Sequence, residues 1–152
     1  MSILRIPLSY LVICVAEFCT TVALHEAGHA VVARFYGVEA IPYLLMDRGA
    51  LGGCTEYHGR IFSEREFRIV SLAGSAAVSH WQLPSVTAEQ LIEEKWTPTP
   101  RDAKDAGDFS VADLAECLEI IHSRWVEVEA TAAALLQDFL GAHKPTAGRP
   151  LP

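Results

Sequence analysis

Two histidines and a glutamate stand together in the run His25-Glu26-Ala27-Gly28-His29. On an α-helix His25 and His29 are one turn apart and project from one face, so their imidazoles can converge on a single metal ion. Zinc suits such ligands: it binds imidazole nitrogen at about 2.0–2.1 Å and in catalytic sites takes three protein ligands plus a water. Glu26, next to the first ligand, is then left free as a general base. A zinc-activated water gives up a proton far more readily than bulk water, and the adjacent carboxylate can accept that proton and deliver it to a leaving amine. The chemistry implied is hydrolysis of an amide without a covalent intermediate, which predicts a zinc metalloendopeptidase. A chance spacing on a solvated or core helix is the competing reading, but two unpaired imidazoles and a carboxylate are costly to bury in so apolar a stretch. Gly28 costs about 1 kcal/mol relative to Ala in a helix, so it implies a close neighbour.

Several elements must hold that motif in place. Leu11 to Tyr36 are good helix or core formers, with the helix beginning near Pro7 and Gly37 as its stop, so the motif is expected inside a helix. Ile41 to Leu45 and Leu51 to Tyr57 read as a strand and its return around the polar Asp47-Arg48-Gly49 turn. Ser63 with Glu66 forms a capping box for a helix to about Trp81, whose small residues favour close packing. Ala88 to Lys95 is a short helical candidate, and the segment from Ser85 to Gly107, broken at Thr97-Pro98-Thr99-Pro100, is expected to be mobile. From Ser110 to Leu140 an apolar stripe of helical period predicts one long helix, or two with a break near His122 to Trp125. The fold class expected is α+β and mainly helical: a zincin-like His-Glu-x-x-His helix, a small β-hairpin or edge sheet, and a long C-terminal helix or helix pair. Residues 1–140 are expected to form one domain and 141–152 a disordered tail.

Composition excludes some functions. The 152 residues are 51% hydrophobic and carry a formal charge of −7 without a basic patch, so capture of nucleic acid is not expected. Cys14, Cys19, Cys54 and Cys117 show no C-x-x-C pair and no disulfide framework, and are read as reduced, partly buried thiols. The apolar run Ile3 to Ala16 ends at Glu17 and falls short of the roughly 20 residues that span a bilayer. A cytoplasmic protein is therefore expected, with membrane association through that segment as the lesser alternative.

The third metal ligand decides the class. Val32 and Phe35 stand where a metzincin carries Gly and His, which excludes that branch. Four ordered segments resemble the peptidase domain of the FtsH-type AAA zinc metalloproteases over most of residues 21–140. His25 to Val32 resembles that family's motif helix, and Arg48-Gly49-Ala50-Leu51-Gly52-Gly53-Cys54-Thr55 its glycine-rich edge strand. Leu72-Ala73-Gly74-Ser75-Ala76-Ala77 resembles its Gly-Gly-Arg-Ala-Ala-Glu helix, and Ala112-Asp113-Leu114 its Asp-Leu segment. The resemblance implies His25, His29 and Asp113 as zinc ligands, Glu26 as catalytic base, and Leu51, Gly52, Gly53, Cys54 and Thr55 as an edge that binds extended polypeptide by β-addition. Asp108 is the alternative third ligand. Asp105, His58, His80, Glu116 and Glu119 rank below these two, and Asp113 also has the spacing to cap a helix begun at Ser110. Two departures stand out: no Gly-x-x-x-x-Gly-Lys-Ser/Thr phosphate loop is present, and Val78 replaces the glutamate of the alanine-rich helix. The expected activity is ATP-independent hydrolysis of unfolded or flexible polypeptides, alone, with a separate unfoldase or as a homo-oligomer. An inactive peptide-binding or regulatory module that keeps the peptidase fold is the alternative.

Overall fold

A computed structural model describes the backbone of residues 8–142 and the side-chain surroundings of residues 16–142. The chain is mainly helical with one two-stranded antiparallel sheet, as expected for an α+β protein. Helix α1 runs Leu8–Phe35, strands β1 and β2 run Glu39–Asp47 and Ala50–His58, and α2 runs Glu64–Gln82. Two short helices follow, α3 (Ala88–Glu93) and α4 (Pro100–Ala106), then α5 (Val111–Ser123) and α6 (Trp125–Ala142). Gly141 and Ala142, expected to begin a disordered tail, continue α6, and the rest of that tail lies outside the described residues.

Local chemistry accounts for the boundaries. Gly37 takes a φ of 75°. Its N–H donates to the Arg34 carbonyl and that of Val38 to the Ala33 carbonyl, the paired bonds of a Schellman stop. The hairpin turns on Arg48 and Gly49, with φ of 49° and 80°. Two consecutive left-handed residues match the twist of the flanking strands, and the register runs unbroken from Asp47 opposite Ala50 to Glu39 opposite His58. Ser63 and Glu66 form the expected reciprocal cap of α2. The C-terminal pattern resolves into two helices that break at Arg124.

Helices α1 and α2 form the centre of the core. Ala23, Ala27, Ala30, Val31 and Val32 of α1 meet Ile69, Leu72, Ala73, Ala76 and Ala77 of α2, all buried, with Leu114 and Ile121 of α5 and Val128 of α6 closing the far side. Gly28 explains the close crossing. A Cβ at that position would lie 2.5 Å from the Ala73 carbonyl oxygen and 2.7 Å from Ala77 Cβ. Among the described residues no helix is long and apolar enough to cross a membrane. Cys19 and Cys54 are half-buried and Cys117 is buried, all as free thiols, while the side chain of Cys14 lies outside the described residues.

The segment from Ser85 to Gly107 is not the loose connection its prolines suggest. Trp96 Nε1 donates to Ser79 Oγ at 3.0 Å, and the Thr99 N–H donates to Ser75 Oγ at 3.1 Å. Two serines one turn apart on α2 thus tie the segment down. Thr99 then caps α4, with Pro100 in its first turn, where a missing N–H costs nothing.

Candidate metal centre

The helix α1 presents His25 and His29 one turn apart, with His29 buried and His25 half-buried. Helix α2 crosses over them at Gly74, where a Cβ would lie 2.5 Å from His29 Nε2 and 2.6 Å from His25 Nε2. The glycine gives the imidazoles their seat. One turn earlier on α2, the Val70 carbonyl accepts from His29 Nδ1 at 2.8 Å. A carbonyl only accepts, so Nδ1 carries a proton, and the neutral ring turns a bare Nε2 towards His25 Nε2, 3.1 Å away.

The carboxylate that joins them is Asp102, in the first turn of α4. Its Oδ2 lies 3.0 Å from His25 Nε2 and 3.4 Å from His29 Nε2. The distances are those of an ion pair, yet Oδ2 is buried and, among the described residues, has no partner in hydrogen-bond geometry. Such an oxygen is costly to leave unsatisfied. His25, His29 and Asp102 each offer one ligand atom, all within 4.8 Å of one another. Two imidazole nitrogens and one carboxylate oxygen are a donor set that zinc accepts, and an ion bound among them satisfies the orphaned oxygen. The residues therefore fit the metal.

Electrostatics tighten the cluster. Burial works against the charged form of Asp102, but the two histidines outweigh it and hold the carboxyl well below its usual range. Burial likewise lowers His29, but Asp102, the Glu26 charge and the Val70 carbonyl reverse this and raise it above its ordinary value. Metal binding, which needs the neutral ring with its bare Nε2, is therefore opposed by protonation as pH falls.

Glu26 is also buried and faces β2. Thr55 Oγ1 donates to Glu26 Oε2 at 2.7 Å. At Gly53 a Cβ would lie 2.3 Å from Glu26 Cγ, so a side chain there would displace the carboxylate. These residues, with Cys54 and Tyr57, line a cavity of about 230 Å³ that also exposes His25, His29 and Asp102. Leu51 and Gly52 lie nearer the turn and do not line it.

The expected third ligand is a correction. Asp113 sits in the reciprocal cap of α5, where it accepts from the Ser110 N–H at 3.0 Å. It also pairs with Arg65 at 3.1 Å and Arg68 at 3.4 Å. Its valences serve helix capping and two arginines, and its ordinary capping reading is what the fold uses. Asp108, the alternative, is exposed in the loop between α4 and α5 and is not part of the cluster. Asp105 lines the cavity without joining the ligand atoms. His58 pairs with Glu56 on the surface, His80 packs on Trp125, and Glu116 accepts from Tyr36 and Arg65. The missed signal for Asp102 was Thr99-Pro100-Arg101-Asp102, an N-cap, a first-turn proline and a first-turn acid that announce a helix start. No protein-family model matches the chain, and no curated protein matches its sequence.

Proposed function

We propose that this chain is a zinc-dependent metallopeptidase of the zincin kind, similar to the peptidase domain of the FtsH-type proteases, acting on unfolded or flexible polypeptides in the cytoplasm. The observation that carries this reading is the meeting of His25, His29 and the orphaned Asp102 oxygen at one point, with Glu26 on the same helix beside them. His25, His29 and Asp102 would hold the ion. When bound, zinc supplies Lewis-acid polarisation of a carbonyl and lowers the pKa of water towards neutrality.

The chain's own residues do the rest. Thr55 fixes one carboxylate oxygen of Glu26, which leaves Oε1 to take a proton from the attacking water and return it to the amine that departs. The absent side chain at Gly53 keeps that carboxylate in place beside β2. Among the described residues β2 pairs with β1 alone. Its other edge can add an extended substrate strand beside the cavity through backbone hydrogen bonds.

Zinc-loaded protein should cleave unfolded casein, and Glu26→Gln should abolish this while retaining one zinc per chain by elemental analysis. Equal cleavage by the two proteins would sink the proposal. Zinc and peptide binding with no Glu26-dependent turnover would instead identify a peptide-binding module.

A further inference from the structure

Alternate residues of a strand face one side. On β2, Gly53 and Thr55 both meet Glu26, and Tyr57 is the next residue on that side. It lines the same cavity as His25, Glu26, His29 and Asp102. Its half-buried ring packs edge-on against Phe62, with centroids 5.3 Å apart. Among the described residues none takes a hydrogen bond from its hydroxyl. A tyrosine so placed usually finds a partner, and the cavity that Tyr57 lines is where a bound substrate could supply one.

We propose that Tyr57 is a second catalytic residue, whose hydroxyl donates a hydrogen bond to the scissile carbonyl oxygen as negative charge develops there. This rests on the peptidase reading above. Attack by water oxygen at the carbonyl carbon moves the C=O π pair onto oxygen. The pair returns when the C–N bond breaks and the amine leaves with the proton that Glu26 held. Tyr57 keeps its own proton throughout. A preorganised donor aimed at such charge is worth most where water is excluded.

Of the cavity's other hydroxyls, Thr55 donates to Glu26 and Ser71 to the Phe67 carbonyl, while Thr99 accepts from the Asp102 N–H as the cap of α4. Arg101, exposed at the rim of the cavity, is the competing donor. Burial, reinforced by the charges of Glu26 and Asp102, pushes the Tyr57 phenol above its usual value, so it stays a donor throughout the neutral range.

The test compares zinc-loaded wild type, Tyr57→Phe and Arg101→Gln, the first substitution keeping the ring against Phe62. Kinetics would be followed on a fluorogenic peptide from casein. Affinity for a phosphonamidate peptide, a tetrahedral anion probe, would be measured by calorimetry. For Tyr57→Phe we expect kcat to fall about 100-fold, KM to hold, and phosphonamidate affinity to fall by a similar factor at unchanged zinc content. Wild-type kcat and probe affinity in Tyr57→Phe, or the same loss confined to Arg101→Gln, would overturn the assignment. Should the wild type cleave nothing, the probe still decides. Binding that depends on Tyr57 keeps the donor while the peptidase reading fails, and binding that is absent or indifferent to Tyr57 overturns the donor.

Discussion

Two aspartates of the same chain have opposite roles, and their surroundings explain why. Asp113 accepts from the Ser110 N–H and side chains of Arg65 and Arg68, which leaves it occupied. Asp102 is buried, and its Oδ2 lies at ion-pair distance from the two histidines with no hydrogen-bond partner among the described residues. Replacing Asp102 by Asn should weaken zinc binding by more than the 10- to 100-fold that loss of an outer-shell partner costs, as read by competition with a chelating dye. Asp113→Ala should bind zinc like the wild type and lose about 1–2 kcal/mol of stability in urea unfolding. The reverse pattern would return the third ligand to Asp113. Buried Cys117 has no such role: burial pushes its thiol well above the ordinary range, so it behaves as a small core residue.

At the scale of elements, the site depends on how closely α2 crosses α1. Gly28 allows that crossing, and Gly74 and Val70 on α2 then seat and orient the histidines. Alanine at position 28 improves helix propensity by about 1 kcal/mol, but its Cβ would press on the Ala73 carbonyl at 2.5 Å. Backbone cannot yield as a flexible side chain does, and overpacking of this kind costs about 1–3 kcal/mol. Gly28→Ala should therefore melt earlier when metal-free and bind zinc more weakly, because α2 carries the partners of His29. A higher melting temperature with intact zinc affinity would show that the crossing has slack. The loop that carries Asp102 follows the same logic, since Ser75 and Ser79 of α2 anchor it. One helix thus positions candidate ligands on two others.

Across the whole molecule, α2, α5 and α6 meet at another histidine, His80, and its titration runs against that of His29 in the candidate metal centre. His80 is buried, with its ring 4.6 Å from Trp125 and 5.3 Å from His122. Burial, aided by the neighbouring His122 charge, lowers its pKa below 6.5. Above 6.5 the residue is neutral both folded and unfolded, so its packing contributes in full. As pH falls from 6.5 through the lowered folded value, the unfolded chain takes up a proton first and that stability is lost. His29 acts oppositely, because its raised pKa favours the folded, metal-free protein at low pH. A difference measurement separates them. The stability advantage of metal-free wild type over His80→Phe should shrink between pH 8 and pH 5.5 in urea titrations; an advantage independent of pH would contradict this account.

The amino-acid sequence alone determined the features set within a few residues of one another. One-turn spacing placed His25 and His29 on one face, Gly37 closed their helix, Arg48-Gly49 turned the hairpin, and Ser63 with Glu66 capped α2. Each follows from backbone sterics or a local hydrogen bond, which are legible without a tertiary partner. The apolar stripe after Ser110 allowed one long helix or two with a break near His122 to Trp125, and the second alternative is the one the fold adopts. Only the tertiary structure decided which of several aspartates faces the histidines, because that choice depends on how α4 is hung from Ser75 and Ser79 and on which carboxylates arginines had already claimed. It likewise decided that Gly53 and Thr55 hold Glu26, and that Tyr57 opens on the same cavity. Such contacts join residues about 30 positions apart, and spacing along the chain says nothing of distance across it.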